Sequence, residues 1–131
     1  MNTTTKKDEI QRIKEVLEEL QGEGTVLLAY LYGSYAKGNP HVRSDMDLAV
    51  YLNSKDEDAR IEAIDRILMS SDRAIELLFL DDENESPFVI QEALKGIPLI
   101  EPDKDKLYEV SDRVLHESEG IRFRREAAYE A

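Results

Sequence analysis

Apolar residues recur at spacings of three and four in several stretches of the chain, which is the spacing that places side chains on one face of an α-helix. Helices with such a stripe are predicted over residues 8–20, over residues 56–69 and from residue 103 onward. In the second of these helices, the stripe expected to face the core consists of Ile61, Ile64 and Leu68. A further helix is predicted over 88–95, because Ser86 and Pro87 supply an N-cap and a proline at the first helical position. Gly120 is expected to interrupt the last helix and to leave residues 121–131 as a charged tail.

Short apolar runs between these helices predict strands. They cover residues 25–32, 46–52, 74–80 and 97–100. Pro98 favours an edge position for the last strand, since proline has no backbone N–H to donate to a neighbouring strand. This order of helices and strands predicts an α/β fold, a small mixed sheet with helices packed on one face, and a site at the ends of the strands.

The composition limits the kinds of function that the chain can have. Its 131 residues, 41% hydrophobic and 35% charged, are typical of one globular domain covering residues 1–131. The sequence has no cysteine and only two histidines, which excludes disulfides, thiolate zinc sites and histidine-rich metal clusters. Metals bound through oxygen ligands remain compatible with the sequence.

The charge and the hydropathy limit the partners. A net charge of −12 repels a phosphate backbone, so stable binding to nucleic acid is not expected, while a basic protein would be attracted. No apolar segment is long enough to cross a bilayer, and residues 1–7 have no apolar stretch that could act as a signal peptide. We therefore expect a cytoplasmic protein that does not bind membranes.

Candidate metal ligands lie at the start of the second and third strands. Residues two apart on a strand point to the same face about 7 Å apart, so Asp45 and Asp47 can converge on a common point. Two magnesium ions about 3.5–4 Å apart require such shared carboxylates together with phosphate oxygens. Glu76 is the one carboxylate in the otherwise apolar third strand, where its burial without a cation would be costly. These three residues are the predicted catalytic and metal-binding carboxylates.

Candidate phosphate ligands follow the first strand. The backbone N–H groups of Gly33 and Ser34 and the Ser34 hydroxyl are placed to bind the terminal phosphates of a nucleotide, and Gly33 leaves room for their approach. Lys37 and Arg43 are the nearest cations that could neutralise a triphosphate. The alternative for these two residues is that they are solvated loop charges.

Gly33-Ser34, ten intervening residues and Asp45-Met46-Asp47 resemble the signature of the minimal nucleotidyltransferases of the polymerase-beta superfamily. The resemblance extends over residues 25–101, the expected nucleotidyltransferase core, with residues 103–131 as a helical extension. It implies a polymerase-beta-like fold in which the two aspartates and a third acidic residue bind two Mg2+ ions. It also implies that the Gly-Ser loop binds the phosphates of ATP. At the third acidic position the family usually has Asp, whereas this chain has Glu76.

Within that family, the length and the C-terminal helix look most like the MntA-type antitoxins of HEPN/MNT toxin–antitoxin pairs. This resemblance implies transfer of AMP from ATP to a hydroxyl group of a HEPN ribonuclease toxin, with tyrosine as the expected acceptor. Two alternatives remain open: an antitoxin that neutralises the toxin only by binding it, which the exchange of Asp for Glu76 favours, or a nucleotidyltransferase that acts on a small-molecule hydroxyl.

Overall fold

The structure is a computed structural model that describes residues 6–33 and 46–130. These residues form four helices and four strands. In chain order they are α1 (Lys6–Gly22), β1 (Val26–Tyr32), β2 (Met46–Leu52), α2 (Glu57–Leu68), β3 (Ile75–Phe79), α3 (Pro87–Leu94), β4 (Ile97–Pro98) and α4 (Lys104–Glu130). As predicted, Pro87 is the first residue of α3 and β4 lies at an edge of the sheet.

The four strands form one mixed sheet in the order β3-β2-β1-β4. β1 pairs antiparallel with both β2 and β4, whereas β2 and β3 are parallel. Parallel neighbours need a crossover connection, and α2 provides it between β2 and β3. The predicted α/β class and mixed sheet are therefore confirmed.

Helices cover both faces of the sheet, and this corrects the expectation that they pack on one face. On one face, side chains of α1 and α2 form a core with Ala29, Leu31, Met46, Leu48 and Val50. On the other face, side chains of α3 and α4 form a second core with Leu28, Tyr30, Ala49 and Leu78. The physical reason lies in β1 and β2, where both sets of alternating side chains are apolar and both therefore need to be covered.

The buried face of α2 also differs from the predicted one. Ala63 and Ile67 are buried, while Ile61 and Leu68 of the predicted core stripe are 50% and 39% exposed. Ile64, the third residue of that stripe, is half-buried and packs against the core, as predicted. The helix carries more apolar residues than one face can bury, so Ile61 is left at the surface.

Helix α4 continues through Gly120 as far as Glu130, so the prediction of an interruption at this glycine was wrong. A glycine inside a helix costs about 1 kcal/mol relative to alanine, which the surrounding helix-forming glutamate and arginine residues can offset. Although α4 has 27 residues, none of the described helices is both long and apolar enough to cross a membrane.

Candidate functional site

Three polar side chains lie in a row across one end of the sheet. In the strand register, Tyr32 of β1 is opposite Asp47 of β2, and Asp47 is opposite Glu76 of β3. Directly paired residues point to the same face, and neighbouring strands are about 4.8 Å apart, so the three side chains are adjacent. Further along the same face, the row Tyr30, Ala49 and Leu78 is buried in the core. The polar row is thus the outer margin of a face that is otherwise apolar.

Gly33 brings the backbone after β1 against this row. Its φ angle is +76°, a conformation that side chains with a Cβ atom rarely adopt. A Cβ atom at this position would also overlap the Asp47 carboxylate. Glycine is therefore required both by the turn and by the close approach of its Cα to Asp47.

Burial and three carboxylates act on the hydroxyl of Tyr32. The pKa of Tyr32 is raised from 10.0 to about 12, first by burial and then by the negative charges of Asp47, Glu76 and Glu85. Glu85 belongs to the loop before α3, so this loop adds a carboxylate to the two that the strands supply. A concentration of carboxylates of this kind attracts cations.

The structure brings together three of the residues that the sequence singles out: Gly33, Asp47 and Glu76. The other four predicted site residues, Ser34, Lys37, Arg43 and Asp45, lie outside the described residues.

The environment of Glu76 differs from the expected one. Glu76 lies on the strand beside β2, as predicted, but it is the second residue of β3 and its side chain is exposed. The argument that burial of its charge would require a cation therefore does not hold, since water reaches the carboxylate. Exposure leaves the carboxylate accessible to a bound substrate.

Sequence reasoning missed two residues of the site, Tyr32 and Glu85. A tyrosine at the end of an apolar run is typical of core, and Tyr32 was assigned to the strand on that basis. Its position directly before Gly33 places Tyr32 at the strand end nearest the predicted site, but the continuous apolar run of β1 gave no sign that its side chain joins the polar row. No sequence pattern indicated Glu85, which is brought close only by the path of the loop after β3.

The donor atoms at the site suit a hard cation. Asp47 and Glu76 provide carboxylate oxygens on adjacent strands, and oxygen ligands are those that magnesium prefers. Within residues 6–33 and 46–130, no group of three or more His, Cys, Asp or Glu side chains is arranged to hold a metal ion. The described residues thus contribute a pair of carboxylates, and the predicted third ligand, Asp45, is outside them.

Comparison with known proteins identifies the family. The sequence model of the family described as "Polymerase beta, Nucleotidyltransferase" matches residues 11–105, which include Gly33, Asp47 and Glu76. The chain belongs to this family. The match begins within α1 and ends at the start of α4, so the nucleotidyltransferase family model takes in all four strands of the sheet.

Solved structures with the same fold come from toxin–antitoxin complexes. A toxin–antitoxin complex with AMP-PNP has a TM-score of 0.65 at 22% identity, over 89% of this chain and 95% of the matched chain. A mutant of the toxin–antitoxin MntA-HpeT has a TM-score of 0.67 at 22% identity, over 92% and 95%. The tri-AMPylated HEPN toxin of Shewanella oneidensis in complex with its MNT antitoxin has a TM-score of 0.63 at 19% identity, over 96% and 97%. At these identities the likeness establishes the nucleotidyltransferase fold. No curated protein matches the sequence.

Proposed function

We propose that this chain is a magnesium-dependent adenylyltransferase that transfers AMP from ATP to a tyrosine hydroxyl of a HEPN-domain toxin, and so acts as its antitoxin. The observation that carries this proposal is the placement of Asp47 and Glu76 side by side, at the strand end where Gly33 turns the backbone against Asp47. That arrangement supports the proposal, because a turn that would bind phosphate and carboxylates that would bind metal ions lie together in a nucleotidyltransferase fold.

Asp45, Asp47 and Glu76 are the proposed ligands of two Mg2+ ions. The pKa of Tyr32 is raised first by burial and then by the negative charges of Asp47, Glu76 and Glu85, and these charges support cation binding at Asp47 and Glu76. When bound, magnesium would neutralise charge on the phosphate oxygens and lower the pKa of the attacking hydroxyl.

The proposed reaction is an in-line displacement at the α-phosphorus of ATP. The oxygen of the acceptor hydroxyl forms a bond to the α-phosphorus, and the bond between that phosphorus and the oxygen bridging to the β-phosphate breaks. AMP becomes esterified to the acceptor and pyrophosphate leaves. Glu76 accepts the hydroxyl proton in this scheme, a role for which its exposure to incoming substrate suits it.

The triphosphate is proposed to bind at the turn after β1. The backbone N–H groups of Gly33 and Ser34 and the Ser34 hydroxyl would hold the departing pyrophosphate, and Lys37 and Arg43 would offset its charge. The absence of a side chain at Gly33, which accommodates the Asp47 carboxylate, also lets phosphates approach the backbone.

Two observations support a HEPN toxin as the acceptor. The antitoxin in the Shewanella oneidensis complex shares the fold and is bound to a tri-AMPylated HEPN toxin. In addition, the net charge of −12 favours a partner with a basic surface, as expected for a protein that binds RNA.

The test is AMP transfer with purified components. The protein of the neighbouring reading frame, taken as the proposed HEPN-domain toxin, is incubated with ATP labelled at the α-phosphate and either the wild type or Asp47→Asn. We expect the label on the HEPN protein with the wild type and a loss of at least about a hundredfold with Asp47→Asn. Glu83→Gln, which removes a carboxylate from the exposed loop after β3, is the matched control and should transfer at the wild-type rate.

The outcome also separates the alternatives. Inhibition of the HEPN protein without label would indicate an antitoxin that acts only by binding, the alternative favoured by Glu76 at a position where the family usually has Asp. Release of pyrophosphate with label on an added small-molecule alcohol, and none on the protein, would indicate a small-molecule acceptor.

A further inference from the structure

We propose that the outer face of α2 is the surface through which this chain docks on its acceptor protein, and that the matching surface of the acceptor has an apolar centre and a basic rim. The inference rests on the proposed function in taking the acceptor protein as the partner. It concerns a surface on the sheet face opposite the polar row, among residues that the proposed chemistry does not use.

Large apolar side chains are concentrated on this outer face. Ile61 is 50% exposed, Leu68 is 39% exposed, and Met69, the residue that caps the helix, is 85% exposed. Ile61 and Leu68 are seven residues apart, so they lie two turns apart on the same side of the helix. Ala63 and Ile67 occupy the opposite side and pack in the core. Ile61, Leu68 and Met69 thus form an exposed apolar stripe that is directed away from the sheet, whereas Ile64 packs against the core.

Acidic side chains surround this stripe. Four carboxylates of α2 are exposed beside it: Glu57, Asp58, Glu62 and Asp65. The two arginines of the helix point toward the rest of the molecule instead. Arg60 bonds to Asp81 at 2.8 Å, and Arg66 bonds to Glu19 at 3.0 Å and to Glu23 at 2.7 Å. Because both arginines are held in ion pairs within the molecule, the outer face of α2 is acidic and apolar.

This charge distribution selects the class of partner. A second copy of the chain would bring the same four carboxylates against one another, and an anionic lipid surface or a nucleic acid would be repelled in the same way. A protein surface with an apolar centre and lysine or arginine residues at its rim is complementary to both features.

The face is also well placed relative to the site. Six residues, 69–74, connect the end of α2 to the start of β3. The N–H of Met46 donates to the carbonyl of Ala74 at 2.9 Å, so this connection ends beside the start of β2, one residue before Asp47. Leu68 and Met69 therefore lie at the same end of the sheet as the polar row. A protein bound to this face can extend its acceptor side chain past that end of the sheet to the polar row.

The test is a comparison of two matched double variants. Ile61→Asp with Leu68→Asp places charges in the stripe. Tyr108→Asp with Leu115→Asp makes the same change at two apolar residues of α4 that are also seven residues apart and are 73% and 49% exposed. The probe is the protein of the neighbouring reading frame, taken as the HEPN-domain toxin of the proposed function. The dissociation constant is measured by titration calorimetry, and AMP transfer is measured in the same samples.

We expect the α2 variant to weaken binding about tenfold or more and the α4 variant to change it less than about twofold. Wild-type affinity in the α2 variant, an equal loss in both variants, or no binding of the probe by the wild type would each overturn the proposal. If the α2 variant does not fold, as judged by circular dichroism, Glu62→Lys with Asp65→Lys replaces it. This second variant should weaken binding by a similar factor and reduce its dependence on salt.

The two readouts keep this inference separate from the proposed function. Binding that depends on α2 without any AMP transfer by the wild type would contradict the proposed function and support the docking face. AMP transfer by the wild type with an unchanged dissociation constant in the α2 variant would support the proposed function and contradict the docking face.

Discussion

At the scale of single residues, Gly33 joins the backbone turn to the carboxylate site. Gly33→Ala would place a Cβ atom in a left-handed conformation and against the Asp47 carboxylate. We expect it to lower the free energy of unfolding by about 1–3 kcal/mol and to weaken ATP binding. Urea denaturation and nucleotide titration measure the two effects.

Gly120→Ala is the matched control for this prediction, because the same exchange there meets open space within a helix. It should raise the free energy of unfolding by up to about 1 kcal/mol. Equal stability of both variants would show that Gly33 is not constrained in the way the structure indicates.

Tyr32 provides a second test at this scale, because burial and the nearby carboxylates both raise the pKa of its hydroxyl. Its pKa is about 12 in the folded protein and 10.0 for an ordinary tyrosine, so the neutral form is favoured by folding. The stabilisation is fully present below pH 10 and is lost as the pH rises toward 12. The tyrosinate absorbance of the metal-free wild type, minus that of Tyr32→Phe, should therefore show a midpoint near 12. A midpoint near 10 would contradict both the burial of the Tyr32 hydroxyl and its proximity to the carboxylates.

The sequence identified the site residues that stand out from their neighbours along the chain. It did not identify the residues that only the packing of the folded chain brings to the site. Gly33, Asp47 and Glu76 could be selected because each interrupts or ends an apolar run. Tyr32 could not, because a tyrosine in a strand looks the same whether it faces the core or a polar margin. Glu85 is one of many loop carboxylates, and only the folded chain brings it near the row.

At the scale of elements, Arg60 and Asp81 link α2 to the far end of the sheet. Arg60 bonds to Asp81 at 2.8 Å, and the other carboxylate oxygen of Asp81 accepts the Leu52 N–H at 3.1 Å. Both side chains are mostly buried, with exposed fractions of 27% and 16%. Asp81→Ala removes the carboxylate partner of the part-buried Arg60 guanidinium, which keeps its hydrogen bond to the Ser54 carbonyl at 3.2 Å, and leaves the Leu52 N–H without an acceptor. We therefore expect a loss of about 1–3 kcal/mol in the free energy of unfolding.

The exposed pair of Lys95 and Glu92 is the comparison for that prediction. Glu92→Ala should cost no more than about 0.5 kcal/mol, because water screens an ion pair at the surface. Thermal or urea denaturation of both variants provides the values. If Asp81→Ala lowers the free energy of unfolding as little as Glu92→Ala does, the Arg60–Asp81 pair does not stabilise the packing of α2.

Element types followed from the sequence more readily than element faces. The apolar runs of β1 and β2 and the spacing in α1 and α2 were sufficient to assign strand and helix. They could not show which side of α2 is buried, since its apolar residues occupy more than one side and the choice depends on how the helix packs in the core. For the same reason the sequence did not show that helices cover both faces of the sheet, because both faces of β1 are equally apolar.

At the scale of the whole molecule, both faces of the sheet are covered and one end remains polar. That end carries Tyr32, Asp47 and Glu76, and the connection from α2 to β3 leads to it. The strongly negative net charge directs the molecule toward basic partners, and salt should weaken that association because screening shortens the range of the attraction. Interpretation of residues 1–131 as a single domain with a helical extension remains a prediction.

The most direct test of the central claim is the intact mass of the protein of the neighbouring reading frame, the proposed HEPN-domain toxin, after co-expression with the wild type or with Asp45→Asn plus Asp47→Asn. We predict added mass in whole AMP units with the wild type and none with the double variant. A HEPN protein that stays unmodified while it co-purifies with the wild type would contradict adenylyl transfer and show that the chain acts only by binding.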